Sequence, residues 1–549
     1  MSVEQTEPQS FNLSEFDVST DIKAYVHSLF SVSVHEEKAM EQSISEISQD
    51  FLSARYTSTN AGLTSLTSSF IDSQIPLKPL ELDHYLKFLY GTVVNHSNHT
   101  SSPRFIGHMT SALPYFVRPL AKLIVAMNQN VVKTETAKTL TLHERQALGM
   151  MHRLVYGFSE SFYQQHIQEN GSTLGIVTSG GTSANISALW CARNSVLGAT
   201  EEFAGVEKSG LAAALKFYDY DRAVIIGSSL MHYSFDKAAD LLGIGAQGLI
   251  RIPADHQNRI ELQTLRQTVA ECRRRNICII AIVGIAGTTD SGGIDSLKEI
   301  ADIAQAANTH FHVDAAWGGP LLFSKQHAKK LVGIAQADSV TIDGHKQLYL
   351  PMGLGMVLLQ NPHLANVIQK RATYTARDGS GDLGRRSLEG SRPASALCLH
   401  AGLNLIGVEG YEVLVDEGVR KTQYMANHIL SHPEFELLAE PEMNILLYRY
   451  LPSRWRSLAA LGKLTQADNN AINLFNQQLQ KFQRQIGQTF ISRTVTKTTA
   501  YGKGLAITAL RAVIANPCTT ESDIEDVLND QIQIALELEQ SLLKEQSAS

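Results

Sequence analysis

Between about residues 150 and 360, short apolar runs alternate with longer stretches of helical periodicity. The runs at 175–178, 223–227, 278–283, 311–314, 339–342 and 355–359 predict strands. Leu262–Arg274 and Leu297–Ala307 between them predict helices. This alternation is the signature of an α/β fold whose mostly parallel central sheet is covered on both faces.

The flanks read differently. Residues 1–100 read as an irregular leader followed by helical segments, with Pro76 and Pro79 interrupting the pattern before a helix over 82–94. A loop-rich stretch runs from Tyr374 through the glycine and serine cluster at 379–387, as an active-site flap or surface loop would. Past Pro393 come a long helical region, a strand over 444–450, and a terminal helix over 520–543 behind a cap-like cluster at 519–523. The predicted division is an N-terminal helical segment (1–100), a large α/β domain (101–394) and a small C-terminal α+β domain (395–549). There is no tandem repeat.

Composition narrows the function classes. A chain of 549 residues, 44% hydrophobic and 18% charged, can bury a large core and lies outside the disordered class. A net charge of -7 without a concentrated basic face argues against a nucleic-acid partner, and the arginines at 273–275 read as a solvated helix end. The longest apolar run, 277–286, is too short to cross a membrane. The polar, acidic start lacks a signal-peptide pattern, so the expected location is cytoplasmic. Five cysteines at 191, 272, 278, 398 and 518 have no metal-binding spacing and read as reduced thiols.

Four segments carry candidate chemistry. In the stretch 176–185, a strand passes through a glycine turn into a helix, where Thr182 and Ser183 can present hydroxyls and N–H groups to a phosphate. Taken alone, a plain strand-to-helix turn explains it equally well. Asp314 ends a strand, where it can bind a protonated pyridine nitrogen or simply cap the next helix. Lys346 follows His345 after another strand, a setting that favours Schiff-base chemistry, although a lone lysine is ordinarily solvated. His232 follows the 223–227 run and can stack on a cofactor ring or serve as a structural histidine. The combination discriminates where each segment alone does not.

Together these segments resemble the group II pyridoxal-phosphate-dependent decarboxylases, from about Pro103 to Val527. DSVTIDGHKQLYLP (338–351) carries the resemblance most specifically, supported by FHVDAAWGG, SSLMHYSFDKAADLLGIG and TSGGTSAN. The resemblance implies a fold-type I enzyme in which Lys346 holds pyridoxal 5'-phosphate, His345 precedes it, and Asp314 pairs with the pyridine nitrogen. It places His232 over the ring, Thr182 and Ser183 at the phosphate, and Thr288 near the cofactor, with Asp295 structural. Tyr374 matches the loop tyrosine that protonates the substrate carbon, though the residues beside it depart from the family pattern. Arg511 matches the arginine for the alpha-carboxylate, His108 stands where glutamate decarboxylases commonly carry glutamine, and Arg392 helps bind or order this region. For Arg511 a surface arginine on a strand, for His108 a packing histidine, and for Arg392 helix-surface packing are the alternatives. The implied assembly is a homodimer whose N-terminal segment joins the subunits and whose Tyr374 loop covers the partner's site. The implied substrate is an acidic amino acid. HTSSPRFIGH and SLEGSRPASAL are most similar to the branch converting aspartate to beta-alanine for pantothenate and coenzyme A, with glutamate decarboxylation to 4-aminobutanoate as the alternative.

Overall fold

The computed structural model describes residues 20–30, 34–371, 379–498 and 505–548. They divide into two compact units. Met1–Ala54 with Asp72–Ser97 forms one, and its described residues are largely helical. Its helices include Thr20–Leu29, Val34–Ser53, and Leu82–Phe88, which widens into a π-helical turn over Leu89–Val94. The 82–94 segment predicted as one helix therefore changes its hydrogen-bond spacing halfway, with Asn95 N–H reaching Tyr90 O.

The second unit, Arg55–Ile71 with Asn98–Ser549, holds two sheets. The larger comprises β1 (Gly175–Thr178), β2 (Ala223–Ser228), β3 (Leu249–Ile252), β4 (Cys278–Ile285), β5 (His310–Asp314), β6 (Ser339–Asp343) and β7 (Gly355–Leu359). Their spatial order is β1-β7-β6-β5-β4-β2-β3. β7 runs antiparallel to both its neighbours, and the other pairings are parallel, so the sheet is mostly parallel as predicted. Every residue of β2 and β4 is buried, because helices cover both faces; this is why these strands read as unbroken apolar runs. The sequence pattern misses β3: it has four residues, one of them the exposed Arg251, at the sheet's edge.

The smaller sheet is antiparallel, in the order β10-β11-β9-β8, from β8 (Phe435–Ala439), β9 (Ile445–Tyr450), β10 (Ser492–Thr498) and β11 (Leu505–Val513). Asn444 ties the two sheets together: its Oδ1 accepts from Trp317 Nε1 at 3.0 Å and its Nδ2 donates to Gln347 Oε1 at 2.9 Å. The terminal helix Glu521–Ala548 starts behind Thr520, whose backbone N–H and hydroxyl exchange hydrogen bonds with Asp523. No helix among the described residues is long and apolar enough to cross a membrane.

Candidate active site

A cleft of about 480 Å³ opens at the carboxyl ends of the parallel strands, where ligands of open α/β sheets bind. Thr182, Ser183, His232, Asp314, His345 and Lys346 all line it. They come from segments spread over 165 residues, and the strand order is what gathers them.

Asp314, the last residue of β5, is 7% exposed. Its Oδ2 accepts from Asn185 Nδ2 at 3.0 Å and its Oδ1 from Ala316 N–H at 3.1 Å, so both oxygens are fixed. His232 follows β2, and its Nδ1 accepts from Ser234 N–H at 3.2 Å, which leaves Nε2 to carry the ring proton. Burial lowers its pKa, Asp314 and Asp343 oppose that, and the Lys346 and Lys237 charges reinforce it.

Lys346 stands three residues past the end of β6, with Nζ 3.2 Å from Asp343 Oδ2. His345 donates from Nδ1 to Leu354 O at 3.1 Å. Behind Lys346, Gln347 Nε2 donates to Trp317 O at 2.7 Å, and the buried Tyr349 takes a left-handed backbone with φ 57°. That conformation is costly for a bulky residue, and its hydroxyl, held by Ala515 O at 2.8 Å, helps impose it. The helix Gly181–Val196 opens with no side-chain cap, so the N–H groups of its first turn face the cleft beside Thr182 and Ser183. Glycine is required there: a Cβ on Gly181 would stand 2.8 Å from Asp343 Oδ2.

A second pair of side chains adjoins the cleft: His108 lines it, and Arg511, buried and outside its lining, donates to the backbone oxygen of the cleft-lining Thr289. His108 is open to solvent on one side. Its Nδ1 accepts from Thr110 N–H at 3.2 Å, so its proton rests on Nε2. Burial of the rest of the ring, then the charges of Arg511, Lys346 and His345, lower its pKa. Arg511, on β11, donates from Nε to Thr289 O at 2.8 Å and from Nη1 to Gly107 O at 3.3 Å and Ser492 Oγ at 3.1 Å. Its Nη2 is buried without a hydrogen-bond partner. Gly107 permits this close approach, since a Cβ there would sit 2.3 Å from Ser492 N.

Two further expected residues stand outside the cleft lining. Thr288 is buried, and its hydroxyl serves the 288–293 turn, bonding Ser291 Oγ at 2.8 Å and Gly293 N–H at 3.0 Å; Thr289 is the threonine that lines the cleft. Arg392 is not among the cleft-lining residues: its guanidinium pairs with buried Glu144. Tyr374 lies outside the described residues. Asp295 is buried, with its carboxylate accepting from Ile260 N–H at 2.7 Å and Ile285 N–H at 2.9 Å. Sequence reasoning assigned no role to Asn185 or Asp343, although both lie inside quoted motifs. The contacts of Asn185 cross from helix to strand, which no spacing within a segment reveals, whereas Asp343 faces Lys346 three residues along in the same segment.

Residues 66–451 match the pyridoxal-dependent decarboxylase conserved domain. The chain is 45% identical over 509 residues to aspartate 1-decarboxylase of Aliivibrio fischeri, covering 92% of each sequence. It is 27% identical to L-2,4-diaminobutyrate decarboxylase of Acinetobacter baumannii, over 76% of this chain and 80% of that one. The crystal structure of mouse CSAD shares the fold with a TM-score of 0.80 at 23% identity, over 92% of this chain and 99% of that one.

Proposed function

The chain belongs to the pyridoxal-dependent decarboxylases, which use pyridoxal 5'-phosphate on amino acids, and from that premise we propose that it removes the alpha-carboxylate of L-aspartate. The products are carbon dioxide and beta-alanine, the latter feeding pantothenate and coenzyme A synthesis. The observation that carries this reading is the corner where His108 Nε2–H and the unpartnered Arg511 Nη2 offer two donors to a substrate with two carboxylates. The 45% identity to an aspartate 1-decarboxylase supports the shorter of the acidic substrates.

The residues present fit the cofactor. The uncapped helix start with Thr182 and Ser183 suits its phosphate, and the doubly fixed Asp314 suits a protonated pyridine nitrogen. Lys346 supplies the cleft's primary amine among the described residues. When bound, the cofactor supplies an electron sink for the pair left behind as the carboxylate departs.

The protein's own groups do the rest. Arg511 orients the alpha-carboxylate through Nη2, and a fixed guanidinium holds a planar carboxylate better than a flexible ammonium would. His108 takes the side-chain carboxylate at Nε2. His232, whose pKa burial lowers, would stack on the cofactor ring and keeps a proton on Nε2 inside the cleft. Tyr374 delivers a proton to the alpha carbon from its hydroxyl, with His232 assisting. The assembly in this reading is a homodimer with its active sites at the interface.

The test is carbon dioxide release and amine identification with purified holoenzyme on aspartate, glutamate, cysteine sulfinate and aromatic amino acids. One methylene is worth about 10- to 200-fold in a pocket of this kind. Aspartate is expected to lead glutamate within that range. Dominant glutamate turnover would overturn the substrate reading.

A further inference from the structure

Behind the cleft, a chain of buried polar groups runs from Asp314 to the surface. Asn185 Nδ2 donates to Asp314 Oδ2 and to Ser234 Oγ, both at 3.0 Å. Asn185 Oδ1 meets His312 Nε2 at 3.0 Å, His312 Nδ1 meets Ser339 Oγ at 2.8 Å, and Ser339 Oγ meets His310 Nε2 at 2.7 Å. His310 Nδ1 then lies 3.9 Å from Asp338, which is partly exposed. Asn185, His312 and Ser339 are each at most 1% exposed, so water cannot substitute for a missing partner.

The direction of the chain follows from chemistry. An ionised carboxylate only accepts, so the Asn185 amide turns its nitrogen to Asp314 and its oxygen to His312. His312 must then donate from Nε2. Burial, with His310 adding to it, pushes His312 down to about 3, so the ring is neutral and Nδ1 is an acceptor. Ser339 therefore donates to His312 and accepts from His310. Every donor points toward Asp314, and each bond polarises the next.

The same amide reaches the other side of the cleft. Ser234, which takes the second Asn185 donor, gives its backbone N–H to His232 Nδ1 at 3.2 Å. One side chain thus holds both the carboxylate and the residue that fixes the imidazole.

We propose that Asn185 and His312 are positioning residues: Asn185 sets the carboxylate of Asp314 and, through Ser234, the ring of His232, while the His310–Ser339–His312 chain fixes which way the Asn185 amide faces. The proposal rests on Asp314 serving the cofactor's ring nitrogen, as argued above. A network that merely satisfied its own buried groups would contribute to folding and leave the cofactor's electronic state untouched.

The experiment compares Asn185→Leu, His312→Leu, His312→Gln, Ser339→Ala and Asp314→Asn, measuring the cofactor dissociation constant, its visible absorption band when bound, thermal stability with and without it, and kcat and KM. Loss of an outer-shell hydrogen bond costs on the order of 10- to 100-fold at metal sites. A similar fall in kcat, with KM little changed and the bound cofactor's band shifted, is expected for Asn185→Leu and His312→Leu. His312→Gln, which keeps a donor facing Asn185, restores most of the loss, and Ser339→Ala gives a smaller shift of the same kind without adding volume. Folded Asn185→Leu or Ser339→Ala protein with the parent spectrum, cofactor affinity and kcat would overturn the proposal, even if its melting temperature fell. An unshifted spectrum in Asp314→Asn would instead remove the assignment of Asp314 on which the proposal stands.

Discussion

The proposed cofactor floor of this cleft and the proposed substrate corner beside it are built in opposite ways. The floor takes Asp314 and Lys346 from the ends of adjacent strands, 32 positions apart, in a parallel sheet whose pairing fixes them. The corner takes His108 and Arg511 from segments 403 positions apart and brings them together where the 105–107 stretch runs beside β10 and β11. In the floor Asp314 is held at both oxygens and Lys346 faces Asp343 Oδ2, while Asp343 Oδ1 is buried without a hydrogen-bond partner. In the corner Arg511 Nη2 is buried without a hydrogen-bond partner, and this is the position proposed for the substrate carboxylate. A site built so can hold one chemistry in its floor and set its selectivity at the corner.

If this division is right, damage to the floor abolishes chemistry and damage to the corner changes recognition. The largest effect is expected for Lys346→Ala. Without an amine to attach the cofactor, steady turnover should fall by about 1000-fold or more, with loss of the lysine-dependent visible band. Retained multiple turnover would break the comparison outright.

Arg511→Lys keeps the charge but loses the planar fork. Its expected effect is a rise in KM of about 10- to 100-fold, the equivalent of roughly 1.5–3 kcal/mol for a charge-assisted hydrogen bond. The band of bound cofactor should be unchanged. A spectral change in Arg511→Lys would merge corner with floor.

His108→Gln should alter the aspartate-to-glutamate ratio of kcat/KM by about 10-fold, within what one methylene can offer. Competition assays with both substrates present read this directly. An unchanged ratio would reduce His108 to a packing residue.

Acid separates the regions more gently. His312 has a lower pKa folded than unfolded, so the unfolded chain binds the proton first. Its contribution to stability is complete above about 6.5 and is lost progressively as pH falls toward 3. Denaturant titrations at pH 7.5, 6 and 5 should show declining stability, and the decline should lessen in a folded His312→Gln protein. At the corner, Arg511 is the leading charge lowering the pKa of His108, so Arg511→Met should move the His108 titration, followed by NMR, upward toward 6.5.

Much of the floor was legible in the sequence because strand and turn chemistry are local. The runs at 175–178 and 355–359 predict β1 and β7 to the residue, as the periodicity of Leu262–Arg274 and Leu297–Ala307 predicts those helices. The edge strand β3 and the half-exposed β10 left no comparable trace, since such strands lack a sustained hydrophobic run. Thr288 shows the limit of motif reading. The motif marks the turn, but which of two neighbouring threonines faces the cleft depends on how that turn closes on Ser291 and Gly293.

By itself, the sequence determined the alternating α/β order and the family, and it singled out Lys346 as the residue proposed for cofactor attachment, because periodicity and contiguous motifs are carried within short segments. The tertiary structure decided which side chains keep a free hydrogen-bonding position and which are already used. Arg392 is paired with Glu144, Arg511 retains a free nitrogen, and Asn185 is committed to Asp314 and Ser234. Availability depends on partners that chain folding brings from far along the sequence, and no local pattern records them.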